Sequence, residues 1–252
     1  MIYLNMDFRS ECLGGNAQVS LLLPDNADSF KTFWLLHGLH GDHTSWMRFT
    51  SIERYAAQHK VAVVMPNAQN SWYADTAYGA NYFSMITEEL PTLLSKKFHG
   101  FSKAREDNVV AGLSMGGYGA MKAALTYPER YGACISLSGS LDITRKNRPY
   151  SLPMWQGSFG FSLESALELE GSDQDLFALA KKIPAHGISA PRIYMWCGTE
   201  DSLLAANDAF SEHLDALGIS HTYETSTGDH SWRYWDEKIR DGLAFALASE
   251  EK

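Results

Sequence analysis

Short apolar runs that end in glycine, proline or a small polar residue recur along the chain. Residues 32–37 run into Gly38, residues 61–65 into Pro66, residues 109–111 into Gly112, residues 133–137 into Ser138-Gly139, and residues 193–197 into Gly198. Near-continuous apolar runs, unlike alternating ones, suit strands of a parallel sheet covered on both faces. Segments with helical spacing lie between them. Trp46, Phe49, Ile52 and Tyr55 recur at i, i+3, and residues 85–98 place Ile86, Leu90, Leu93 and Leu94 on one face. Pro91 is tolerated there near a helix start or at a kink. Residues 115–127, 208–217 and 235–247 also read as helices. Strands alternating with helices predict an α/β class, a mostly parallel central sheet with helices on both faces and right-handed crossovers. Residues 3–8 and 18–23 read as an antiparallel edge ahead of that sheet, and residues 221–225 as its last strand. Residues 141–175, with Pro149, Pro153, several glycines and scattered aromatics, break the rhythm. They read as a cap-like excursion over the sheet's carboxyl edge, where lids and binding walls are built. No repeat or linker-like stretch divides the chain, so a single domain over residues 1–252 is expected.

One of the strand ends carries chemistry. Gly112-Leu113-Ser114-Met115-Gly116 is a G-x-S-x-G pattern, weak alone, but entered from an apolar strand and left through a helix rich in small residues. A serine on so tight a turn needs small neighbours, which Gly112, Gly116 and Gly117 supply. The alternative is a glycine-rich turn with no chemistry. A nucleophilic serine needs a base, and the base an orienting carboxylate. Of the histidines after Ser114, His213 falls inside a helix, His221 at a strand start and His186 at the wrong end of the sheet. His230 lies in the polar loop between the last strand and the last helix, where a base must sit. Asp201 opens the turn after the penultimate strand and is preferred as the acid over Glu200 and Asp229, with a plain helix cap as its bland reading. The Met115 amide and, from the loop after the first long strand, the Leu39 amide are the expected oxyanion donors. His37, His40, Asp42 and His43 in the same loop imitate a metal motif, but Gly38 stands where a further histidine is needed, and no metal or cofactor is expected.

Charge and composition narrow the partners. With 21 basic and 30 acidic side chains in 252 residues, the net charge of −9 argues against a nucleic-acid face and an anionic membrane surface. Cys12, Cys134 and Cys197 are odd in number and far apart, and there is no basic-then-apolar leader and no apolar run of about 18 residues. A cytoplasmic setting and a small-molecule substrate are therefore expected. Trp72, Tyr73, Trp155 and Trp232 sit in loops that should converge on the carboxyl edge, as pocket walls or as core.

Four stretches carry a resemblance. His37 to Trp46, Tyr82 to Pro91, Gly112 to Met121 and Tyr127-Pro-Glu-Arg-Tyr131 resemble the esterase D / S-formylglutathione hydrolase family, and within it the bacterial tributyrin esterases. The resemblance implies an α/β-hydrolase fold and cofactor-free hydrolysis of short-chain acyl esters, with acetylated sugars or aryl esters among the substrates of several members. It also implies Ser114 as nucleophile, Asp201 as acid, His230 as base, Leu39 and Met115 as oxyanion amides, and a homo-oligomer. Thioester hydrolysis on S-formylglutathione, transfer to an acceptor alcohol, and a non-catalytic binding protein that kept the fold are the rival readings.

Overall fold

The structure is a computed structural model, and it describes residues 1–25, 27–76, 78–144, 158–159 and 169–248. Among these, eight strands form one sheet: β1 (Ile2–Ser10), β2 (Gly15–Leu23), β3 (Thr32–Leu36), β4 (Ala62–Pro66), β5 (Asn108–Leu113), β6 (Ala133–Leu137), β7 (Arg192–Gly198) and β8 (His221–Ser226). Their order is β1-β2-β4-β3-β5-β6-β7-β8. β1 and β2 pair antiparallel as a hairpin, β2 pairs antiparallel with β4, and every later pairing is parallel. The expected antiparallel edge and parallel centre are both present.

Strands β3 to β6 are buried at every position, because helices cover both faces. Side chains alternate between the faces with the period of two that a strand imposes. Trp34, Leu36 and Val110 join one apolar cluster, while Phe33, Leu35 and Val109 join the other. The first cluster packs against α3 (Leu90–Lys97), α4 (Met115–Thr126), α5 (Leu176–Ala185) and α6 (Leu204–Ala216). The second packs against α1 (Ser45–Phe49), α2 (Ile52–His59) and α7 (Trp232–Leu247).

Three local departures from the sequence reading have physical causes. The i, i+3 stripe over residues 46–55 is split between α1 and α2, so Trp46, Ile52 and Tyr55 are buried while Phe49 is left exposed. α3 is entered through a short helical turn, Tyr82–Ser84, and a π turn, Met85–Glu89. Pro91 has no N–H for the Thr87 carbonyl one turn back, and the Arg130 guanidinium donates to that carbonyl instead, at 3.1 Å. Helix α5 was hidden behind the irregular stretch before it. Its start is capped by Asp175, which accepts from the Phe177 and Ala178 amides, and Leu176, Leu179, Ala180 and Ile183 supply its buried stripe.

Lys122 is the unusual member of the core. It is buried on α4, where its ammonium donates to the Tyr73 carbonyl at 3.2 Å and Gln174 Oε1 at 2.7 Å, and lies 4.2 Å from the centre of the Phe83 ring. Burial pulls its pKa down to about 8, against the opposing pull of Asp173 and Asp75. Between that value and the ordinary 10.5 the unfolded chain holds a proton that the folded chain has released, so this group's contribution to folding rises with pH. The stability of the wild type relative to Lys122→Met should therefore climb between pH 8 and pH 10 in urea unfolding, and a pH-independent difference would contradict it.

Candidate active site

β5 runs straight into Ser114, where the chain turns into α4 with φ 53° and ψ −119°. Side chains rarely adopt that backbone, so the surroundings must hold it. They do so by backbone contact: a Cβ at Gly112 would lie 2.2 Å from the Gly116 carbonyl oxygen, and one at Gly116 would lie 2.3 Å from that of Leu36. The Ser114 N–H donates to the Leu137 carbonyl at 3.0 Å, and the Ser114 carbonyl accepts from the Ser140 N–H at 3.1 Å. The bend is thereby stitched to the end of β6.

Two neighbouring loops at the same sheet edge supply the other groups. Asp201 follows β7 and His230 follows β8, and the loops are tied to each other. Thr199 N–H donates to the Ser226 carbonyl and Glu200 N–H to that of Gly228, each at 2.9 Å. Contact is close enough that a Cβ at Gly198 would lie 2.1 Å from the Gly228 oxygen. His230 Nδ1 is 2.8 Å from Asp201 Oδ2, and His230 Nε2 is 3.0 Å from Ser114 Oγ. An ionised carboxylate only accepts, so Nδ1–H donates to Asp201 and Nε2 is left to accept from the Ser114 hydroxyl.

The Asp201 side chain is fully buried, whereas that of His230 is 34% exposed. Burial alone pushes a carboxyl pKa up. Here the hydrogen bonds from His230, the Leu203 amide (2.9 Å) and the Ser138 hydroxyl outweigh it and hold Asp201 below its ordinary value. Trp235 braces the group from behind: its ring meets the His230 ring edge-on at 4.8 Å, and its Nε1 donates to Ser138 Oγ at 3.1 Å. Neither Ser138, with φ 46°, nor Trp235 stood out in the sequence. A Ser-Gly pair at a strand end and an aromatic one helical turn after Trp232 were the only signals.

The remaining acids and histidines are engaged elsewhere or face solvent. Glu200 and Asp229 are exposed. His186 bonds to the Lys182 carbonyl, His213 to the Phe177 carbonyl and His221 to Ser211 Oγ. In the loop with metal-like spacing, Asp42 Oδ1 accepts from the Thr44 amide and hydroxyl, and His43 Nδ1 shares a hydrogen bond with Ser20 Oγ. Among the described residues no group of three or more His, Cys, Asp or Glu is gathered.

That loop, residues 36–41, lies against the serine; a Cβ at Gly38 would be 3.4 Å from Ser114 Cβ. Gly38, Leu39, His40 and Gly41 of this loop face the cleft, and Met115 is the first residue of α4, whose N–H has no partner within the helix. A cleft of about 540 Å³ opens over Ser114 and His230, walled by Leu39, Trp72, Leu113 and Trp232, with Phe49 at 48% exposure. Trp72 and Trp232 thus border it. Tyr73 does not. It lies beneath the cleft, its ring against Gly119 and its hydroxyl donating to the His37 carbonyl at 2.8 Å, so its expected place in the wall is corrected to the core. Trp155 and most of residues 141–175 lie outside the described residues.

Residues 10–246 match the family described as "Putative esterase". The chain belongs to this esterase family. It is 30% identical to the acetyl esterase of Caldicellulosiruptor saccharolyticus across 96% of this chain and 97% of that protein. The crystal structure of S-formylglutathione hydrolase from Staphylococcus aureus superposes with a TM-score of 0.89 at 31% identity, covering 98% of this chain and 99% of the other. A fluorophosphonate-binding serine hydrolase of the same organism, solved with substrate bound, gives 0.88 at 31% identity over the same shares. The esterase thus has the α/β-hydrolase fold of its esterase D-like relatives and is a carboxylic ester hydrolase.

The tight bend yields a stability test. The Cβ of Gly112→Ala would meet backbone atoms that cannot rotate away. The variant should lose about 2 kcal/mol or more in urea unfolding, the range for overpacked sites.

Proposed function

We propose that this esterase hydrolyses short-chain acyl esters, acetyl esters among them, through an acyl-enzyme formed on Ser114. The 3.0 Å contact between His230 Nε2 and Ser114 Oγ, on an imidazole oriented by buried Asp201, carries this reading. As Ser114 Oγ attacks the ester carbonyl, His230 Nε2 takes the hydroxyl proton and Asp201 stabilises the imidazolium. The Leu39 and Met115 amides receive the oxyanion. Collapse of the tetrahedral intermediate breaks the bond to the leaving alcohol, which takes its proton from His230. Water, deprotonated by His230, then attacks the acyl-enzyme; as the second tetrahedral intermediate collapses the acid leaves, and Ser114 Oγ takes the proton back from His230.

The walls favour uncharged groups. Leu39, Trp72 and Leu113 offer apolar surface to a small acyl chain, and the acetyl esterase from Caldicellulosiruptor saccharolyticus is a relative over nearly the full length. Phe49 and Trp232 stack on each other, 5.1 Å between ring centres, at the open side of the cleft. A ring-bearing alcohol, as in an acetylated sugar or an aryl ester, suits that rim. S-formylglutathione is the second reading, supported by the names of the Staphylococcus aureus structure and of a Paracoccus denitrificans relative that is 29% identical over 147 residues. The same acyl-enzyme chemistry serves either leaving group.

Ser114→Ala should cut turnover on p-nitrophenyl acetate by at least about 10³-fold with its unfolding midpoint unchanged, and should abolish labelling by a fluorophosphonate. Wild-type rates in that variant would end the assignment. Comparing kcat/KM on acetyl to octanoyl esters with that on S-formylglutathione decides between the two readings. Phe49→Ala should lower kcat/KM on aryl and sugar acetates by about tenfold, the worth of one aromatic contact, and leave ethyl acetate near wild type.

A further inference from the structure

The loop that borders Ser114 is held from behind by side chains at three successive carbonyls. Trp46 Nε1 donates to the Leu36 carbonyl at 3.0 Å, the Tyr73 hydroxyl to that of His37 at 2.8 Å, and His37 Nδ1 to that of Gly38 at 2.8 Å. The third contact depends on which ring nitrogen of His37 carries the proton, and the surroundings decide this. Ala68 N–H points at His37 Nε2 from 3.0 Å, so Nε2 accepts and Nδ1 bears the hydrogen. His37 itself is 1% exposed. Burial lowers its pKa to about 4, which keeps the ring in this neutral, one-donor one-acceptor form throughout the neutral range.

Among the described residues no peptide bond is cis. In a trans peptide the C=O and the following N–H point in opposite directions. A donor that fixes the Gly38 carbonyl therefore fixes the direction of the Leu39 N–H as well. His37 Nδ1 and the Gly41 amide (3.1 Å) both hold that carbonyl, while Leu39 borders the cleft over Ser114. The geometry points to His37 as a positioning residue that aims the Leu39 N–H at the developing oxyanion by holding the Gly38–Leu39 peptide from the buried side. This rests on the acyl-enzyme reading above. A mere strut would serve as well with its bond to Ala68, whereas aiming the amide needs the donor at the Nδ1 position.

Two polar variants separate these roles. In His37→Asn the side-chain amide nitrogen replaces Nδ1 and keeps the donor to Gly38 while losing the acceptor for Ala68. In His37→Gln the longer side chain reaches Ala68 and leaves Gly38 without its donor. Steady-state kinetics on p-nitrophenyl acetate should show His37→Gln losing about 10²-fold in kcat with KM little changed, the signature of a weakened oxyanion donor, and His37→Asn recovering most of that loss. Equal losses, a worse His37→Asn, or a loss carried by KM would overturn the proposal. If either protein fails to fold, Tyr73→Phe, which frees the adjoining His37 carbonyl, should show the same kcat-only loss at a smaller size, and unchanged kcat there would overturn it. Wild-type protein inactive on every ester would instead refute the acyl-enzyme reading itself.

Discussion

Ser114 occupies a backbone conformation that costs on the order of 1–3 kcal/mol, and the arrangement around it follows from how that cost is met. The bend survives because β5 and the start of α4 are in backbone contact at Gly112 and Gly116, with the end of β3 pressed against the same helix turn. No side chain fits between them. The same closeness brings the His37–Gly38 loop against the serine. The fold therefore contributes to the site chiefly through where backbones are forced to touch.

A second constraint is electrostatic. Asp201 is buried, and burial favours its neutral form, yet donors from His230, Leu203 and Ser138 keep it ionised. The charge is held in a dry setting where it orients an imidazole strongly. His230 is partly exposed, so its ring stays reachable from solvent while the carboxylate that orients it is shielded. His37, by contrast, is sealed in. Both rings carry their hydrogen on Nδ1 and accept at Nε2, one lining the cleft and the other enclosed behind it.

Much of this was legible in the sequence because backbone demands write themselves into residue type. The apolar runs ending at Gly38, Pro66, Gly112 and Gly198 marked the parallel strands, since a strand covered on both faces has no polar side to show. Glycines around Ser114 signalled the bend, and the positions of Asp201 and His230 after the last two strands put both at one sheet edge. Less legible were features set by tertiary partners. Pro91 gave no hint that Arg130 would take up the carbonyl it leaves bare, and nothing in Tyr73 distinguished a buried donor to the His37 carbonyl from a pocket wall. Ser138 and Trp235 join the site through contacts between β6, β7 and α7 that no local spacing encodes.

The paired hydrogen bonds between the Asp201 loop and the His230 loop, with Gly198 lying against Gly228, have a mechanical consequence. Asp201 and His230 are mounted on what is in effect a single plate, while Ser114 sits at the start of α4. Of the two contacts of the His230 ring, the one to Asp201 therefore lies within a tied pair of loops and the one to Ser114 spans two separate elements.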